Sequence, residues 1–132
     1  MEKFAAQVYR TQRSKFSEKE VLEKFNKAID NEQQHVNELG LRIKELKSSP
    51  PIWFGLLFQV AGAVAAIIIR SLGRLMIFKS GVWIEKRAIK DYNLFLKKIK
   101  FDIETITLIR KIIIDEERHV STWQNSIEIL KD

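Results

Sequence analysis

Residues 112–123 read Ile112-Ile113-Ile114-Asp115-Glu116-Glu117-Arg118-His119-Val120-Ser121-Thr122-Trp123, a glutamate and a histidine three apart inside an apolar helical stripe. Glu116 has Ile109, Ile112 and Ile113 on one side of it and Val120, Trp123 and Ile127 on the other, at the spacing of one helix face. Glu116 and His119 are one turn apart, so their side chains share that face. An ionised carboxylate set unpaired into such a stripe is strongly destabilising or takes up a proton. A shared cation removes that cost.

The same pattern occurs once more, as Glu32-Gln33-Gln34-His35. Glu32 sits in a seam of Leu22, Phe25, Ile29, Val36, Leu39, Ile43 and Leu46, which recur at three- and four-residue steps. Histidine occurs only at positions 35 and 119, and 12 of the 132 residues are glutamate, so chance seldom puts a glutamate three residues before both. Two further carboxylates head apolar faces. Glu85 leads Ala88, Ile89, Tyr92, Leu96 and Ile99, and Glu2 leads Ala5, Ala6 and Tyr9. If Glu2 faces Glu32 across an antiparallel helix pair, the turn falls midway, at residue 17. If Glu85 faces Glu116, it falls near residues 100 and 101. Ser17, with Glu20 three residues on, reads as a capping box, and Asp102 reads as an N-cap.

A glutamate from each of two helices and a Glu-x-x-His from each of two others is the ligand pattern of di-iron carboxylate bundles. Glu2, Glu32 with His35, Glu85, and Glu116 with His119 fill it in order, as six metal ligands for two iron ions. Carboxylates suit hard iron and can bridge two ions, and manganese would be accepted by the same set. The expected fold is all-α, a ferritin-like four-helix bundle with an additional hydrophobic helical crossover, forming a single domain over 1–132. The expected helices are 2–16, 17–47, 52–79, 82–99 and 102–131. Ser48-Ser49-Pro50-Pro51 is the expected stop of the second, and Ser80-Gly81 the expected break before the fourth.

Composition narrows the chemistry. The absence of cysteine excludes disulfides, iron–sulfur clusters and thiolate zinc sites, so electrons come from an external donor, either an electron-donor protein or NADH. The net charge is +6. No aromatic residues interleave a basic stripe, which argues against nucleic acid. Residues 52–69 are almost wholly apolar, and Arg70, Arg74, Lys79, Lys86, Arg87 and Lys90 follow. A single membrane crossing there would part Glu2, Glu32 and His35 from Glu85, Glu116 and His119. The segment therefore reads as a crossover whose spare apolar surface lies on a membrane with anionic head groups, with a homodimer interface as the alternative. The first thirty residues lack the apolar core of a signal peptide, so the expected location is cytoplasmic, peripheral at the inner face of a membrane.

The chain resembles the demethoxyubiquinone hydroxylase family of ubiquinone biosynthesis, within the ferritin-like superfamily. Glu2 followed by Val8-Tyr9-Arg10 and Gln12 resembles that family's first helix, and Glu32 with His35 its second. Pro51-Ile52-Trp53-Phe54-Gly55 is similar to its entry into a hydrophobic helix. Glu85 with Asp91-Tyr92-Asn93 is similar to its third motif, and Asp115-Glu116-Glu117-Arg118-His119 to its last. Asp91 departs from the pattern, standing where the family has histidine. The resemblance implies a di-iron monooxygenase that hydroxylates the ring of a prenylated, quinone-like substrate at a membrane surface.

Glu32, Glu116 and Tyr92 are the catalytic candidates. Tyr9 and Tyr92 could donate hydrogen bonds near the metals or relay electrons, against the plainer alternative of packing. Asp91 or Asn93 could orient a ligating histidine. Two other functions use the same fold: a ferroxidase, iron-handling or peroxide-reducing ferritin-like protein, and a metal-free helical module at a membrane surface.

Overall fold

A computed structural model describes residues 1–48 and 52–130. The described residues form five helices and no strand: α1 (Glu2–Arg13), α2 (Lys19–Glu45), α3 (Ile52–Ser71), α4 (Arg74–Lys98) and α5 (Ile103–Ile129). The fold is thus all-helical, in the element order expected of a ferritin-like bundle, with α3 as the apolar connection after α2. By internal contacts the chain divides into two compact units, Met1–Ile77 and Phe78–Asp132.

In the first unit α1 packs on both α2 and α3. Its buried residues Glu2, Ala5, Ala6, Val8, Tyr9 and Gln12 follow the helical period. Tyr9 meets the edge of Phe25 on α2, and Phe16, in the α1–α2 turn, packs on the same ring. Small residues let α3 come close. A Cβ built on Gly62 would lie 2.8 Å from the Phe4 carbonyl oxygen, and Ala66 is fully buried. Leu56, Leu57, Val60, Val64, Ile67 and Ile68 of α3 are all more than half exposed. Arg74 lies over the Phe16 ring and pairs with Glu18, while Arg70 donates to Ser14 Oγ.

Four helix boundaries differ from the sequence expectation, the first being that of α1, which ends at Arg13 rather than at residue 16 because the chain turns at residues 14–18. Glu18, not Ser17, is the N-cap of α2. Ser17 instead donates its backbone N–H to the Glu18 carboxylate, and Glu20 pairs forward with Lys24 at 2.8 Å rather than reaching back. At its far end α2 closes before the Ser-Pro tract, whose residues 49–51 lie outside the described ones. The N–H of Ser48 bonds to Ile43 O and that of Lys47 to Lys44 O, with Lys47 at φ 53°. Those two bonds and the left-handed residue make a Schellman closure.

The last difference concerns the glycines. The chain does not break at Ser80-Gly81, because α4 runs through both. The break falls at Gly73, whose φ of +96° no side-chain-bearing residue adopts easily, and whose carbonyl opens α4 by accepting from Ile77 N. The 52–79 segment is therefore two elements, α3 and the first turns of α4.

In the second unit, Asp102 caps α5 as expected. Its carboxylate accepts from Thr105 N and from Thr105 Oγ1, both at 2.9 Å, a cap worth about 1 kcal/mol. Ile109, Ile112, Val120 and Trp123 bury one face of α5, and Phe78, Ile84, Ala88 and Tyr92 one face of α4.

Candidate metal centre

Each unit carries one Glu–Glu–His cluster. In the first, Glu2 comes from the opening turn of α1, and Glu32 and His35 from the middle of α2. All three are buried, at 4%, 0% and 0% exposure. His35 Nδ1 lies 3.7 Å from Glu2 Oε2 and 4.0 Å from Glu32 Oε2. The α1–α2 turn spans residues 14–18, midway between Glu2 and Glu32 as expected, and levels the two glutamates within this hairpin.

In the second unit, Glu85 comes from α4, and Glu116 and His119 from α5. His119 Nδ1 lies 3.3 Å from Glu85 Oε1 and 3.1 Å from Glu116 Oε2. Glu85 and Glu116 are buried, while the His119 side chain keeps 12% exposure. The α4–α5 turn falls at residues 99–102, again midway between the paired glutamates.

The donor sets fit a metal. Oxygen and nitrogen ligands about 2.1 Å from one ion are at most about 4.2 Å apart, and all four distances fall inside that span. The two in the first cluster are longer than a hydrogen bond, which makes them separations suited to an ion rather than to direct bonding. Within each cluster both carboxylates offer an oxygen within 4.8 Å of the other ligand atoms. Two buried like charges that close repel strongly unless a cation or a proton intervenes. Carboxylate with imidazole is a set that iron and manganese accept, as does zinc.

The remaining sequence candidates are placed as follows. Tyr92 is buried two turns beyond Glu85 on α4, edge-on to Phe95. Asp91 pairs with Arg87 at 2.9 Å, and the Asn93 amide donates to the Ile89 carbonyl, so both bond within α4 itself. Four buried polar residues among those described were not candidates: Thr105 and Ser126, which bond within α5 or its cap, and Gln12 and Asp115. Gln12 is fully buried one turn beyond Tyr9, and Asp115 is 9% exposed beside Glu116, accepting from Arg118 at 3.0 Å. Gln12 lies on the Glu2–Tyr9 face, and that face was the signal for it.

A search of curated proteins and a search of solved structures return no match to this chain. A family model described as "Ubiquinone biosynthesis protein COQ7" matches residues 2–127, a stretch that begins at Glu2 and includes all six Glu and His residues of the two clusters. With nearly the whole length matched, the chain belongs to the COQ7 family of ubiquinone biosynthesis proteins.

Proposed function

We propose that Glu2, Glu32, His35, Glu85, Glu116 and His119 together hold two iron ions, and that the chain is a dioxygen-dependent hydroxylase of a hydrophobic, quinone-like ring. The observation that carries the reading is the buried Glu–Glu–His cluster present in each unit of a COQ7-family chain. The proposal has both units act as one domain over 1–132. Iron would supply the redox chemistry with dioxygen. One oxygen atom enters a ring C–H bond, and the other leaves as water with two electrons and two protons from the donor.

The chain's own residues do the rest. Glu2, Glu32, Glu85 and Glu116 would balance the charge of the ions, and His35 and His119 would complete the set of ligands. The His35 side chain is buried and that of His119 keeps partial exposure, so the second cluster is the one that dioxygen and substrate would reach. Tyr92, buried on the Glu85 stripe, is the proposed relay residue. With no cysteine in the chain, the donor is an external protein or NADH.

The proposed setting is the surface of a membrane, on its inner face. Among the described residues no helix is long and apolar enough to cross one. Yet α3 exposes a stripe of Leu, Val and Ile, and α4 exposes Lys79, Trp83, Lys86 and Lys90. Exposed apolar residues, a tryptophan and several cations are what a peripheral contact with anionic lipid requires. A prenylated substrate would be reached there without leaving the bilayer.

The test is to load the purified chain with ferrous iron and supply reductant, dioxygen and a prenylated quinone precursor. Product carrying one atom from labelled dioxygen is the expected result. Rapid ferrous oxidation with no hydroxylated product would replace this reading with the iron-handling one.

A further inference from the structure

We infer that Gly81 and Trp123 make a positioning contact that fixes His119 and Glu116 against Glu85, an inference that rests on the metal-centre reading above. Gly81 lies one turn before Glu85 on α4, and Trp123 one turn after His119 on α5. Their contact is therefore the layer next to the ligands on both helices of this unit. The indole is 1% exposed and stacked on Phe78, with ring centroids 6.0 Å apart and an interplanar angle of 18°. A Cβ built on Gly81 would lie 2.8 Å from Trp123 Cδ1 and 2.9 Å from Cγ, where ordinary contact begins at 3.4 Å.

An indole is rigid, and this one is packed against Phe78, so it cannot turn aside to admit a methyl group. The ring and the α5 backbone carrying it would have to move by about half an ångström. One turn away, His119 Nδ1 stands 3.1 Å and 3.3 Å from its two carboxylate neighbours. Metal ligation tolerates only about 0.2 Å. A glycine inside a helix otherwise weakens it, and Gly40 of α2, with nothing near its Cβ position, shows the contrasting case. Gly81 is small so that the tryptophan can set the level of α5, and with it the ligands.

The experiment is a mutant cycle on the full chain, read by cobalt(II) titration, the ligand-field spectrum of bound cobalt and thermal unfolding. Gly81→Ala is expected to weaken binding by about tenfold or more and to change the spectrum, as displaced outer-sphere support does elsewhere. On a Trp123→Leu background the same alanine is expected to cost less than about twofold. Gly40→Ala is expected to raise the melting temperature and leave affinity unchanged. An equal loss on both backgrounds, or none on either, would overturn the inference. If Gly81→Ala is not helical, Trp123→Leu alone decides: unchanged affinity and spectrum overturn the inference, and a changed spectrum with weaker binding upholds it. A wild-type chain that binds no metal would remove the metal-centre reading itself, and this inference with it.

Discussion

His35 Nδ1 lies 3.7 Å from Glu2 Oε2, closer than to Glu32 on its own helix, with both side chains buried. A residue in the first turn of a helix is a doubtful ligand because such turns fray. Here the burial of Ala5, Ala6 and Val8 just behind it holds the turn in place. Glu2→Ala is therefore expected to lower iron affinity by about tenfold or more while leaving helical content intact. Anaerobic ferrous titration followed by circular dichroism checks both. Unaltered affinity would remove Glu2 from the ligand set.

The closure of α2 offers a test that involves no metal. Lys47 occupies the left-handed position of a Schellman motif, where a side chain costs about 1 kcal/mol and glycine is the usual residue. Lys47→Gly should gain roughly 0.5–1 kcal/mol and raise the melting temperature by a few degrees. A lower melting temperature would show that the lysine side chain contributes more than its backbone conformation costs.

The Glu18 carboxyl is held below the ordinary carboxylate value, first by the backbone N–H groups of Glu18 and Ser17, and then by Arg74. A carboxyl depressed in the folded chain contributes stability above its unfolded value, and that contribution is lost as the pH falls through the folded one. Glu18→Gln should thus unfold less steeply than wild type on acidification below about pH 4.5. The gap between the two should be widest near neutrality, small there because the carboxylate is solvent-exposed, and should close as the pH falls. Denaturant midpoints measured across that range check the sign, and parallel curves would contradict it.

The membrane reading predicts where charge should hurt. Val64 and Ile67 are 53% and 61% exposed on the outer face of α3. Val64→Glu or Ile67→Glu should leave folding intact and weaken flotation with anionic vesicles by about tenfold or more. Binding by wild type should also fall with added salt, because Lys79, Lys86 and Lys90 would contribute through screened attraction. Loss of a dimer, with vesicle binding unchanged, would assign this face to a second copy of the chain.

Much of this was legible in the sequence because helix periodicity and hairpin symmetry are local properties. Glu32, Glu85 and Glu116 could be read as buried from their neighbours alone, and each hairpin's midpoint levelled its pair of glutamates. The glycines were not legible. Gly73 and Gly81 look alike in sequence, and only the indole of Trp123, forty-two residues from Gly81, distinguishes a packing glycine from a turn. Ser17 was misread for a similar reason. A capping box requires Glu20 to reach back, but Lys24, one turn ahead, engages it first.

The carboxylates themselves carry the last prediction, which separates a metal site from a merely polar core. Glu32 and Glu116 are fully buried, each beside a second carboxylate of its own cluster. Without metal, those like charges oppose folding, so Glu32→Gln and Glu116→Gln should raise the melting temperature of the metal-free chain. With ferrous iron at a hundred times its dissociation constant, wild type should gain about 2.7 kcal/mol, or roughly 10 °C. The two variants should gain much less, having lost a charged ligand each. Thermal melts of all three chains, with chelator and then with iron under anaerobic conditions, test the crossing of these orders. Were the Gln variants less stable than wild type in chelator, the glutamates would be held by hydrogen bonds of the apo fold rather than kept for a metal.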